Sequence, residues 1–234
     1  TRRTSYKSRN FAKLPPLAES IMKNLVIILA LFYFACSSPN KLINTPIDKI
    51  DSLIFKNEIS KYQISNDDTL IDIGSGYGLN DRIIFKFYPN LFFVLEDIDV
   101  KYLREDRFYI WVNGSKTYFK ERCKRIIGTP DTIPVGSGKY KNVLCRITLH
   151  EFTNTPKMLS ELKRILAPNG QVIIVERIPK FHGEIDKVCN KKLLNGPEIV
   201  ELFSSNGFNL ISFDSTDYSD ERFGGNASIF RFSK

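Results

Sequence analysis

The chain has 234 residues, of which 34 are basic and 26 acidic, for a formal net charge of +8; that length supports one domain with its own core and compels no second one. The charge is lopsided, because six basic residues and only Glu19 precede Cys36, leaving a net +3 over everything from Cys36 onward. A body so near neutrality excludes a strong polyanion binder, and four cysteines without a Cys-x-x-Cys pair support neither a zinc ribbon nor a thioredoxin-like motif and argue against a disulfide framework, leaving one pair open to form if the protein is exported.

In chain order, residues 1–21 are polar, basic and broken by Pro15 and Pro16, which reads as a disordered extension. Residues 22–36 follow as Met22, Lys23 and an apolar run from Leu25 to Ala35 that ends at Cys36. Such a run falls short of the roughly twenty residues that span a bilayer but fits the core of a signal peptide. The segment resembles a bacterial lipoprotein signal, although Tyr33 and Phe34 stand where Leu and a small residue are usual. That resemblance implies lipidation of Cys36 and a lipid-anchored, periplasm-facing protein at the cell envelope. The alternatives are an uncleaved apolar helix and a cytoplasmic protein whose leader is not used.

Residues 37–65 read as a linker and an amphipathic helix: Thr45 is a cap, Pro46 fits the first helical position, and Ile47, Ile50, Leu53, Ile54 and Phe55 form one stripe. Residues 66–234 form the domain. Strand-like runs occur at 69–73, 91–96, 124–129, 142–147 and 171–176, with helix-like segments between most of them. The clearest helix has Thr155 as its cap and Pro156 next; Met158, Leu159, Leu162, Ile165 and Leu166 share one face, and Pro168, Asn169 and Gly170 stop it. A helix from Gly196 and two more strands, "NLISFDS" and "ASIFRFS", close the chain, with Gly224 and Gly225 in the loop between them. The pattern predicts an α/β fold: a Rossmann-like, doubly wound, mostly parallel seven-stranded sheet with an antiparallel hairpin at its C-terminal edge.

The stretch "TLIDIGSGYG" ends a strand in three glycines, Gly74, Gly76 and Gly78. Glycines in a strand-to-helix turn let the backbone approach a ligand closely, and the helix beyond offers free amides. The spacing departs from the dinucleotide pattern, since Leu79 stands where a third-position glycine is needed, and no Gly-Lys-Ser/Thr makes a phosphate loop.

Together with "VLEDID", "GTPDTIP" and "NVLCRITLHEFTNTPKMLSELKRILAPNGQVIIVE", the glycine stretch resembles class I S-adenosylmethionine-dependent methyltransferases over residues 66–234. The resemblance implies S-adenosylmethionine as cofactor. It places Asp72 at the methionine ammonium, and Gly74, Ser75, Gly76 and Gly78 beneath the amino-acid and ribose portions. Asp97, 23 residues past Gly74, takes the ribose hydroxyls, with Glu96 as the competing acid; Asp131 or Thr132 sits beside the adenine, and Cys145 and Arg146 border the cofactor. Where many members have Gly-Asp, this chain has Gly128 and Thr129, whose hydroxyl accepts a hydrogen bond more weakly than a carboxylate.

A sulfonium methyl is already activated, so the protein mainly aligns and desolvates the nucleophile, with a base needed only for a protonated acceptor. His150 and Glu151, just past the fourth strand, are the candidate catalytic pair; their alternative is packing at a helix start. His182 reads as surface. A zinc-protease pair is excluded because Asn154 replaces the second histidine. No Asn-Pro-Pro-aromatic sequence follows the fourth strand, which argues against nucleic-acid or glutamine amino acceptors; the acceptor is otherwise undetermined, and the first expectation is a small molecule. Export of such an enzyme conflicts with the cytosolic origin of its cofactor, which keeps a second expectation open: an inactive methyltransferase-fold module that binds a ligand or partner at the envelope.

Overall fold

The computed structural model describes residues 52–104, 109–112, 115–118, 120–215 and 227–234. Cys36, Thr45, Pro46, Ile47, Ile50, Gly224 and Gly225 lie outside the described residues. So do the side chains of Leu53 and Ile54.

Seven strands form one sheet: β1 (Thr69–Ile73), β2 (Phe92–Asp97), β5 (Cys123–Ile127), β6 (Tyr140–Arg146), β7 (Leu166–Arg177), β8 (Asn209–Ser215) and β9 (Ala227–Ser233). A separate pair, β3 (Tyr109–Val112) and β4 (Ser115–Tyr118), is antiparallel. The order across the large sheet is β5-β2-β1-β6-β7-β9-β8. The first five strands in that order are parallel neighbours, and β9 runs antiparallel to both β7 and β8. The seven-stranded, doubly wound expectation holds. The final pair does form at the edge, but the last strand enters between β7 and β8, so β8 is the outermost.

The alternation of side chains along a strand explains why both faces are covered. In β1, Leu70 packs on one face with Phe55, Ile59 and Tyr62, whereas Ile71 and Ile73 pack on the other with Leu159 and Leu162. Helices α1 (Ser52–Ser60) and α2 (Leu79–Phe87) therefore cover the first face, and α3 (Thr155–Ile165) and α4 (Gly196–Ser205) the second. No helix among the described residues is long and apolar enough to cross a membrane.

Three local differences from the sequence expectation have physical causes. Helix α3 begins at Thr155 with Asn154 in the cap position, where the Asn154 amide donates to Asp131 Oδ1 at 2.7 Å instead of capping. Its end comes at Ile165, because Leu166 turns extended and pairs with Tyr140. Strand β6 stops at Arg146, since Ile147 adopts φ 53°.

Helix α4 carries a capping box that the sequence analysis did not single out: Glu198 N donates to Asn195 Oδ1 at 2.9 Å, and Asn195 N donates to Glu198 Oε2 at 2.8 Å. Two otherwise unsatisfied amides are thereby paired. Asn195→Ala is expected to cost about 0.5–2 kcal/mol, read as a lower denaturant midpoint with an unchanged slope.

Candidate active site

Register brings the C-terminal ends of four strands to one level, since Ile73 is opposite Glu96, Glu96 opposite Ile126, and Asp72 opposite Leu144. Beyond those ends the chain must turn, and a cavity of about 510 Å³ opens there. Ligands of open α/β sheets bind at this side, outside the carboxyl ends of the strands.

The floor is the turn from β1 into α2. Gly74, Gly76 and Gly78 have φ of 69°, 54° and 62°, a left-handed conformation that costs any L side chain. A Cβ at Gly74 would stand 2.3 Å from Thr148 Cγ2, while one at Gly76 would meet nothing within 4 Å. The same turn is tied to β2 by three bonds: Ser75 N donates to Glu96 O at 2.9 Å, Gly74 N to Glu96 Oε2 at 3.3 Å, and Gly76 N to Asp97 Oδ2 at 2.9 Å.

Glu96 and Asp97 thus both reach the cavity. Asp97 Oδ1 also accepts from Asp99 N at 2.9 Å, and burial pushes its carboxyl up. Glu96 is only 2% exposed, and burial raises its pKa to about 7. Its Oε1 finds no hydrogen-bond partner among the described residues. Gly128 makes room for this carboxyl, because a Cβ there would lie 1.6 Å from Glu96 Oε1.

Of the other residues singled out from sequence, Thr129, Arg146 and Glu151 also line the cavity. Thr129 Oγ1 accepts from Asp131 N at 3.3 Å. Asp131, Thr132, Ser75, Gly78 and Cys145 are not in the wall; Cys145 is fully buried in the core beneath it. Asp72 stands behind the wall with its carboxyl against that of Asp81, the first-turn acid of α2. Burial drives both upward, Asp81 to about 7.

Arg146 closes the back of the cavity and is itself anchored inward. Its Nε and Nη2 donate to Glu58 Oε1 and Oε2 at 2.8 and 3.1 Å, and Tyr62 Oη donates to the same carboxylate. Burial opposes ionisation of Glu58, but the adjacent guanidinium holds its pKa below the ordinary value.

His150 and Glu151 part company. Glu151 faces the cavity, whereas His150 turns under the 149–151 turn, where its Nδ1 lies 2.9 Å from Glu176 Oε1. Burial works against the imidazolium, yet the bond to Glu176 raises its pKa. His182 is exposed, as expected.

Tyr77, Tyr102, Ile147, Thr148, Phe152 and Met158 also line the wall, though their sequence context does not mark them as site residues. Tyr77 and Tyr102 meet edge to face with centroids 4.7 Å apart; their attachment to the glycine loop and to the segment after "EDID" is the signal that could have found them. Ile147 carried no such signal. A β-branched residue at φ 53° costs of order 1–3 kcal/mol. It is held by the bond from its amide to Val175 O at 2.7 Å, and it lies between Arg146, which points to Glu58, and Thr148, which donates to Gly74 O at 3.3 Å.

A family model described as "Methyltransferase domain" matches residues 64–215. No curated protein sequence matches the chain. Among solved structures, the chain is similar to a SAM-dependent methyltransferase from Aquifex aeolicus (TM-score 0.60, 13% identity, covering 84% of this chain and 99% of that one). It is similar also to SAM-dependent methyltransferases from Methanosarcina mazei (TM-score 0.61, 14% identity, 76% and 96% covered). A third likeness is to the glycopeptide N-methyltransferase MtfA in complex with S-adenosylmethionine (TM-score 0.57, 11% identity, 78% and 92% covered).

Proposed function

The chain belongs to the methyltransferase-domain family, and from that premise we propose that it binds S-adenosylmethionine in the cavity above β1, β2 and β6 and methylates a small-molecule acceptor. The observation that carries this reading is the pair of acids over the glycine turn: Glu96 and Asp97 accept from the turn's amides, and Glu96 keeps a buried oxygen without a partner among the described residues. A ligand rich in adjacent donors, such as a ribose diol, supplies what that oxygen lacks. Asp97 takes the ribose hydroxyls, with Glu96 as the deeper acceptor. Gly74 and Gly76 admit the amino-acid portion, and Thr129 borders the adenine.

When bound, S-adenosylmethionine supplies a methyl group already activated by the sulfonium charge. This chain's own residues orient and shield it. Tyr77, Tyr102, Phe152 and Met158 give the cavity apolar walls that exclude water. Glu151 is the wall residue that takes the proton of an acceptor that needs one; His150, engaged by Glu176, steadies the turn that presents it. A second reading, a binding module without turnover, is favoured by Thr129 in place of an acid.

Calorimetric titration with S-adenosylmethionine and with its demethylated product tests the proposal. Micromolar binding is expected, and absence of binding at millimolar ligand would remove the enzymatic reading. Asp97→Asn should weaken binding by about 10–100-fold, the worth of a charge-assisted hydrogen bond. Binding should also depend on pH through Glu96, whose carboxyl must be ionised for Oε1 to act as an acceptor while Oε2 holds the Gly74 amide. With its pKa at about 7, affinity should be about tenfold lower at pH 6 than at pH 8, and Glu96→Gln should abolish that part of the pH dependence while lowering affinity at pH 8. Acceptor-dependent release of the demethylated product distinguishes an enzyme from a binding module.

A further inference from the structure

The segment after β7 folds back so that Asp186 and Cys189 meet His150, and the donor atoms of these three side chains all lie within 4.8 Å of one another. We propose that they form a binding site for a transition-metal dication of the zinc class, separate from the cavity. Its elements are already arranged. His150 is buried, and Glu176 Oε1 takes its Nδ1 at 2.9 Å, which leaves Nε2 as the ring's remaining nitrogen. A carboxylate behind the far nitrogen of an imidazole is the arrangement that orients a histidine ligand and raises its basicity.

Asp186 is 3% exposed and fixed by its own loop: Val188 N and Cys189 N donate to Oδ1 at 2.6 and 3.1 Å. Arg177 Nη1 donates to Oδ2 at 2.5 Å. Among the described residues Oδ2 accepts no other hydrogen bond, so it retains a lone pair for a cation. Cys189, half-buried, supplies the thiolate. Among the described residues, the charges acting on the site are the carboxylates of Asp186, Glu176 and, from the cavity side, Glu151, against the guanidinium of Arg177. Their net charge of −2 already compensates a dication, and the thiolate leaves the loaded site at −1.

One imidazole, one thiolate and one carboxylate suit zinc or cobalt(II) and leave a fourth tetrahedral position open. Bonds of roughly 2.0–2.3 Å bring the donors closer than they now stand, a contraction within reach of side-chain rotation in the 181–193 loop. On binding, the Cys189 thiol and any imidazolium at His150 release their protons, so affinity rises with pH.

The test is titration of the reduced full chain with cobalt(II). We expect a thiolate-to-cobalt charge-transfer band in the near ultraviolet and the visible bands of a four-coordinate ion, saturating at one equivalent. Cys189→Ser should remove the charge-transfer band, whereas Cys123→Ser should leave it intact. Asp186→Asn and Glu176→Gln should weaken binding, the latter by about 10–100-fold. Denaturation of Cys189→Ser without metal should match the parent chain, which separates loss of a ligand from loss of the fold. No band, or one that survives Cys189→Ser, overturns the proposal.

Discussion

Arg146→Ala is expected to destabilise the chain by about 3–5 kcal/mol, the cost of leaving one member of a buried ion pair without the other. Glu58 is 2% exposed and Arg146 8%, so loss of the guanidinium leaves a deeply buried carboxylate without its counter-charge. Glu58, Asp72 and Asp81 all feel that cation, and without it each carboxyl moves upward. The sign of the pH effect follows. In the parent chain Glu58 has a lowered pKa and contributes stability above its ordinary value, stability that is lost as pH falls. In the variant Glu58 ionises with difficulty, so the folded state binds its proton more tightly than the unfolded one and loses stability as pH rises. The two chains should therefore differ most near neutrality and less towards pH 5, as read by urea unfolding. Arg146→Met combined with Glu58→Met should cost less than Arg146→Ala alone, because no buried charge then remains.

Gly74→Ala should cost about 2–5 kcal/mol, from left-handed backbone strain of about 1–2 kcal/mol and overpacking of about 1–3 kcal/mol. The overpacking is specific: the new Cβ would lie 2.3 Å from Thr148 Cγ2 and 2.9 Å from its Oγ1. Since Thr148 donates to Gly74 O and Gly74 N donates to Glu96, relief of the clash displaces both walls of the cavity. Cofactor binding should be lost along with stability. Gly76→Ala is the comparison, with φ 54° but open space around the added methyl; its stability cost should be confined to the backbone term. Equal destabilisation by the two variants would mean that Thr148 yields freely.

Much of the fold was legible because it rests on local patterns. Strands 69–73, 209–215 and 227–233 fall where their apolar runs fall, since a run of β-branched and aromatic residues bounded by polar ones has few other ways to bury itself. The glycine turn was equally legible: three positive-φ residues on alternate positions call for glycine wherever the rest of the chain lies. Even the two competing acids were in view, because strand β2 ends at them and the pleat carries adjacent side chains to different faces of the same edge.

What sequence could not reveal depends on partners far along the chain. Arg146 meets Glu58 across 88 residues, and His150 meets Glu176 across 26. Such a pairing leaves no trace in the spacing around either residue, and so His150 and Glu151, adjacent in sequence and read as a pair, take opposite directions. Ile147 shows the same limit. Its side chain prefers an extended backbone, and only the bond to Val175 and the anchoring of Arg146 and Thr148 on either side force it to φ 53°.

The sequence by itself determined the elements, their alternation, the parallel sheet with its antiparallel edge and the glycine turn, because period, turn chemistry and backbone freedom act within a few residues. The tertiary structure alone decided that Asp72 turns inward to Asp81, that Glu96 keeps a free oxygen beneath Gly128, and that Asp186 and Cys189 return to His150. These choices are settled by which buried charge can reach which partner once the core has closed, a balance of desolvation against pairing that exists only between segments already brought together.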